Sequence, residues 1–537
     1  VLLIVLLVVC VILVRRMSVG FEAEDRAESE PIAWPRRLRW LALAFLPSSL
    51  MLGVTTHIST DIAPVPMIWV VPLAIYLVTF IVAFGDKKLG WTRLAVRAAV
   101  LLSLAAPWVA LWSVKQSAFY AMGFDFLLLL VAGLACHGLL AADRPGPDRL
   151  TEFFLVVSAG GALGGIFNGL IAPVLFNWTA EYVLVACLLA SLPLLRGKPL
   201  GKLIGGPLPR AEWWRRAFLW AICPLVFPAL ALSVGGTPGV ALGLVLAVAW
   251  ALAMGRFPRG LAVVGLASFV VIFALSMTAS QFRTRTFYGE YTIHNQGGFR
   301  VFLHGHTIHG AQLLDPAQRS TPVTYYSRSG PVGDLFRAYG SADSVAVIGL
   351  GAGGIAAHGR PGQRMDFYEI DPEVVRLAED TRYFTYLKDT PATVRTIVGD
   401  GRLQMAKAPD GGYGIIILDA FSSDAVPTHI LTRQALELYT RKLRPGGLLV
   451  FNVTNRKLDL APMLGATARA AGLTSLVAKD DGSKSLAAER SAWVAVARTD
   501  SDLQPLRALG GRWRDIPRGG PVWTDSYSSL ARVLHLF

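Results

Sequence analysis

At 537 residues the chain is long enough for about two or three domains. Only 16% of its residues are charged against 53% hydrophobic, and the mean hydropathy is +0.48, which excludes an ordinary soluble protein throughout its length. The net charge of +14 would suit a polyanion, but the basic residues of the first half stand mostly between apolar runs, so nucleic acid is not needed to explain them.

Residues 1–278 are predicted to form a multi-span α-helical membrane domain of about nine or ten helices, because their apolar runs approach the roughly 20 residues that cross a bilayer. Spans are expected near 38–54, 67–84, 94–112, 119–140, 151–175, 179–195, 217–234, 238–254 and 260–278, with 1–14 as a tenth. No small-residue cleavage site precedes the stretch from Arg15 to Arg39, which favours a span over a signal peptide at 1–14. Basic residues recur in alternate loops: Arg36, Arg37 and Arg39, then Lys87, Lys88 and Arg93, then Arg144 and Arg149, then Arg196 to Arg216, then Arg256 and Arg259. Intervening loops such as "THISTDIAPVP" carry almost none, which is the positive-inside pattern of a protein whose partner is a lipid bilayer. The polar residues His57, Asp61, Asp125, His137, Asn168 and Glu181 read as interfacial groups or helix-to-helix hydrogen bonds rather than a transport path. "SAGGALGGIFNG" spaces small residues for close helix packing. The four cysteines all lie in apolar runs, so no disulfide framework or cysteine metal site is legible.

After Met277 the texture changes to strands, turns and amphipathic helices. Residues 279–344 read as a small β-rich segment, and 345–537 as an α/β domain with a parallel, doubly wound sheet whose ligands sit at the carboxyl ends of the strands. "SVAVIGLGAGG" is a strand running into a glycine turn, where Gly349, Gly351 and Gly353 would let the backbone approach a nucleotide. Glu369 ends the next strand, at the place where an acid takes ribose hydroxyls, and Asp400 and Gly401 in "GDGR" end a third. "IILDAFSSDAVP" puts Asp419 and Asp424 behind a fourth apolar run. His304, His306 and His309 offer too few ligands on one strand face for a metal, and none is expected.

Together, "VIGLGAGG", "FYEIDP", "VGDGR" and "ILDAFSSDAVP" resemble the spermidine synthase family, and the spans in front resemble its membrane-fused bacterial members. The resemblance implies a class I methyltransferase-like, Rossmann-like fold, decarboxylated S-adenosylmethionine as co-substrate, a small-molecule polyamine as acceptor, and pairing of subunits through the soluble half. It implies Glu369 on the ribose, Asp400 on adenine, Asp419 as general base, Asp424 on the amine, and Tyr325 and Tyr326 in the substrate pocket. It also implies a multi-pass protein of the bacterial inner membrane.

Two departures matter. Where the family has an acid in its glycine turn this chain has Ala352, which makes intact S-adenosylmethionine, and hence methyl transfer, an alternative. "LHGHTIHG" also replaces the family's L-D-G-x-x-Q. A membrane transporter with a nucleotide-binding sensor domain is a further alternative, and an NAD oxidoreductase is disfavoured by the acidic loop. The positive-inside count places the soluble half outside the cytoplasm, whereas Arg283 and Arg285 and the supply of S-adenosylmethionine argue for the cytoplasmic side, which is the expectation adopted from sequence.

Overall fold

The computed structural model describes residues 31–58, 69–85, 90–113, 118–195, 258–278, 280–305, 307–420, 427–455, 458–482 and 490–534. The expected spans at 1–14, 217–234 and 238–254, and the residues Asp61, His306 and Asp424, lie outside them.

The apolar runs of the first half form helices Trp34–His57, Val70–Gly85, Thr92–Ser113, Ala118–Ala142, Leu150–Ile166, Ala180–Leu188 and Pro258–Thr278. Among the described residues, Trp34–His57, Tyr120–Ala142 and Pro147–Leu175 are long and apolar enough to cross a membrane, and Val70–Gly85, Ala180–Leu195 and Leu261–Ala274 are shorter apolar helices. The small-residue stretch packs as its composition predicts: a Cβ on Gly160 would lie 2.5 Å from the Leu41 carbonyl oxygen. The polar residues of the apolar helices bond between or within helices. Asn168 donates to the Ser49 hydroxyl (2.5 Å), and the His137 ring meets the Thr79 hydroxyl at 3.1 Å. Tyr182 donates to Asp125, and His57 stands 3.6 Å from the same carboxylate.

Strands β1 (Phe282–Thr286), β2 (Gly289–Gln296), β3 (Phe299–His304) and β4 (Thr307–Leu313) form an antiparallel meander. A second sheet holds β5 (Ser344–Ile348), β6 (Arg364–Glu369), β7 (Thr393–Val398), β8 (Tyr413–Leu418), β9 (Leu443–Asn452), β10 (Thr474–Asp480), β11 (Ser491–Ala497) and β12 (Trp513–Asp515) in the order 12-10-11-9-8-5-6-7. The run 9-8-5-6-7 is parallel, as the continuous apolar strands "SVAVI" and "GIIIL" imply for a sheet covered on both faces. The remaining end is antiparallel, so the sheet is mixed rather than wholly parallel. The chain winds outward from β5 through β6 to β7 and then returns to β8 on β5's other side. That reversal makes a crevice beyond the carboxyl ends of β5 and β8.

The meander is pinned to both neighbours. Thr286 donates to the Asp371 carboxylate (2.5 Å), Arg300 to the Tyr383 carbonyl (2.8 Å), and Ala352 N–H to the His309 carbonyl (3.3 Å). Toward the helices, Arg285 ion-pairs with Glu181 at 2.9 Å.

Candidate active site

Three backbone bonds carry the parallel ladder one residue past the strand ends and align the motif residues on one edge: Gly349 N–H to Tyr368 O, Asp419 N–H to Ile348 O, and Gly399 N–H to Glu369 O, each 2.8 Å. The glycine turn follows from crowding there. A Cβ on Gly349 would lie 2.2 Å from the Asp419 carbonyl oxygen, and one on Gly351 2.3 Å from that of His309. Both glycines also take positive φ, +100° and +55°.

This edge and the meander enclose a cavity of ≈ 240 Å³, into which Gly349, Gly351, Glu369, Asp400, Gly401 and Asp419 all face. Gly353 does not line it; a Cβ there would lie 3.0 Å from the Leu387 side chain. Tyr326 reaches the site through Asp419, and Tyr325 stands behind it with ring centroids 6.1 Å apart.

Glu369 is buried, and its two oxygens accept one backbone bond each, from Leu350 N–H and Asp371 N–H, both 3.0 Å. Burial raises its carboxyl above the usual value while the amide bonds oppose that shift. The acid of the E-I-D strand end therefore also ties the glycine turn to β6. The next acid, Asp371, caps the helix Pro372–Glu379.

Asp419 Oδ2 accepts from the Tyr326 hydroxyl (2.7 Å) and Oδ1 from the Asn452 amide (2.8 Å). β9 pairs with β8 so that Phe451 lies beside Leu418, which brings Asn452 level with Asp419. Burial pushes the Asp419 carboxyl up to about 6 against the downward pull of the two donors. Tyr326→Phe would remove one bond to the charged form, so the inflection of Asp419 in a pH–activity profile is expected to move up by about one unit. An unmoved inflection would show that the tyrosine does not govern the Asp419 carboxyl.

Asp400 is more heavily committed than its motif implies. Oδ1 accepts from Leu403 N–H (2.8 Å) as the cap of the helix Gly401–Lys407, and Oδ2 meets His429 at 3.0 Å. Asp400→Ala is expected to cost about 1 kcal/mol of folding stability through the lost cap, read as a lowered denaturant midpoint. An unchanged midpoint would contradict the capping role.

Sequence reasoning missed Tyr288, Tyr291, His304 and His309, which line the cavity from the meander. Strict alternation pairs His304 with His306, but β3 and β4 slip register between Phe302 and Leu303. Phe302 faces Gly310 while Leu303 faces Ile308, so His309 is the extra residue of a bulge that aims it inward. Burial, then the neighbouring His304 ring 5.0 Å away, lowers His309 to about 3, so it is neutral at physiological pH. Among the described residues no group of three or more His, Cys, Asp or Glu side chains comes together as a metal site.

Sheet order and site define a methyltransferase-like α/β domain with an acid-lined crevice at its switch point, preceded by apolar helices. Within that class the chain is spermidine-synthase-like. It is 33% identical over 153 residues to the polyamine aminopropyltransferase of Vibrio vulnificus (strain CMCP6), a match covering 28% of this chain and 49% of the relative. It is 26% identical over 157 residues to a probable polyamine aminopropyl transferase of Bifidobacterium longum (strain NCC 2705), covering 29% and 33%. The chain thus spans half or less of the length of these curated relatives. Similar solved structures include a probable spermidine synthase from Corynebacterium glutamicum ATCC 13032 (TM-score 0.35, 16% identity, 46% of this chain and 98% of that one). Another is spermidine synthase from Thermotoga maritima (TM-score 0.32, 12% identity, 45% and 80%). No family model matches the sequence.

Proposed function

We propose that the chain is a membrane-bound aminopropyltransferase that moves an aminopropyl group from decarboxylated S-adenosylmethionine to a polyamine-type amine such as putrescine. The observation that carries this reading is Asp419, fixed by Tyr326 and Asn452 with its pKa pushed up to about 6, facing the same cavity as Glu369.

An alkylamine resembles lysine, with a pKa of about 10.4, and arrives as an ammonium that cannot attack carbon. Asp419 accepts a hydrogen bond from that ammonium and takes one proton from it. The freed lone pair attacks the aminopropyl carbon bonded to the sulfonium. The C–N bond forms as the C–S bond breaks, its electron pair returns to sulfur to give methylthioadenosine, and the product leaves as a secondary ammonium. Glu369 accepts from the ribose hydroxyls and holds the nucleoside in line, and the Asp400–Gly401 turn borders the adenine. Asp424 meets the far amine of a diamine. The apolar helices seat the chain in the inner membrane, and subunits pair through the soluble half.

Methyl transfer from intact S-adenosylmethionine is the second reading, favoured by Ala352, which is buried and brings no carboxylate to the glycine turn. Titration calorimetry on the detergent-solubilised chain separates the two. Tighter binding of decarboxylated than of intact S-adenosylmethionine is expected, and the reverse order would favour methyl transfer.

A further inference from the structure

The helices have two chemically distinct ends. At one, Arg36 donates to the Asp143 carbonyl (2.8 Å), Arg39 and Trp40 reach the Asp143 carboxylate (3.1 and 2.8 Å), and Arg149 stands 3.7 Å from Glu152. Thr92 packs against Gly138 and Phe84 lies 6.3 Å from Phe153, which brings Arg93 to this same end. Helix Ala180–Leu188 starts at the opposite end, and its continuation Leu189–Leu195 runs back toward the basic end. A Cβ on Gly265 would lie 2.4 Å from the Cys187 carbonyl oxygen, so helix Pro258–Thr278 packs alongside and begins at the basic end.

At the other end His57, the last residue of its helix, stacks on Tyr182 at 5.1 Å and meets Asp125. The soluble half docks here. Arg285 pairs with Glu181 and donates to the Trp178 carbonyl (3.3 Å), Asn177 donates to the Arg283 carbonyl (3.4 Å), and the Arg283 guanidinium lies over the Trp178 ring. The 24-residue helix Trp34–His57 separates the two ends by about 36 Å at 1.5 Å per residue, enough to cross a hydrocarbon core of about 30 Å. Entering β1 at the docked end, among the described residues, are Arg283 and Arg285.

From this segregation we infer that the candidate active site opens on the side of the membrane away from the cytoplasm. The inference rests on the reading of the helices as membrane-embedded. It reverses the cytoplasmic expectation drawn from sequence, and it needs no count of spans, because among the described residues the packed helix ends put Arg36, Arg37, Arg39, Arg93, Arg144 and Arg149 opposite the docked half. Arg283 and Arg285, which argued the other way, belong to the docking contact itself. The amine is then drawn from outside the cytoplasm. The sulfonium nucleoside, assembled inside, requires a transport step before the transfer.

The test fuses reporters to the full chain after Phe537, using alkaline phosphatase, which folds actively only outside the cytoplasm, and a fluorescent protein that matures only within it. Phosphatase activity with loss of fluorescence is expected, together with labelling of Gly297→Cys, at the exposed β2–β3 turn, by a membrane-impermeant maleimide in intact cells. Fluorescence without phosphatase activity, and labelling only after lysis, would overturn the orientation. Recovery of the chain in the soluble fraction would overturn the membrane reading instead, while leaving the transferase assay free to succeed or fail on its own.

Discussion

Asp419→Asn is expected to lower the transfer rate by about 10²- to 10⁴-fold while leaving nucleoside affinity nearly unchanged, because it removes the proton acceptor and spares the ribose acid. The variant keeps the volume of the side chain and one acceptor oxygen, so either Tyr326 or Asn452 retains its partner. The base proposed here works only when ionised, and burial has raised the Asp419 pKa from 3.8 to about 6. Activity should therefore fall about tenfold per pH unit below that value, and the variant should show no such inflection. The stability effect has the opposite sense. A carboxyl that holds its proton more tightly folded than unfolded destabilises the fold as pH rises from about 4 through about 6. At neutral pH the asparagine removes that penalty, and its melting temperature should hold or rise. A variant that loses rate, nucleoside affinity and melting temperature together would show Asp419 to be a structural residue.

The second large effect falls on binding. Glu369→Ala removes both the acceptor proposed for the ribose and the carboxylate that ties Leu350 N–H and Asp371 N–H together. Hydrogen bonds to a charged group are worth about 1.5–3 kcal/mol, so losing the ribose bonds should raise the dissociation constant for methylthioadenosine by about 10- to 100-fold. Glu369→Gln separates the two roles, since its single carbonyl oxygen keeps one backbone partner at most while the volume is preserved. Unchanged nucleoside affinity in both variants would remove Glu369 from the ribose site.

The strand ends were legible from sequence because buried parallel strands are written as continuous apolar runs, and the residue after each run falls on one sheet edge. Gly349 and Asp419 each follow such a run, Glu369 and Asp400 stand at the ends of the more mixed strands β6 and β7, and the cavity gathers all four. Gly353 belongs to the same glycine-rich turn, yet it does not line the cavity and a Cβ there would meet Leu387, because a motif constrains backbone and not the direction of every residue in it. The antiparallel strands β10 to β12 were illegible as such, since strand direction is set by chain connections rather than by apolar pattern. His309 was hidden by the bulge, which breaks the alternation used to assign faces. Asn452 was hidden because its part depends on β8 and β9 lying in register. In the apolar half, the described helices fall on the apolar runs read from sequence. Which end receives the soluble half depends on contacts such as Arg285 with Glu181, far apart in the chain and silent in its composition.

The most direct measurement is the identity of the sulfur product. The detergent-purified chain is incubated with putrescine and either decarboxylated or intact S-adenosylmethionine, and both products are identified by mass. The account predicts amine-dependent methylthioadenosine and an equal amount of aminopropylated amine from the decarboxylated donor, despite Ala352. S-adenosylhomocysteine from the intact donor, or no product from either, would contradict it.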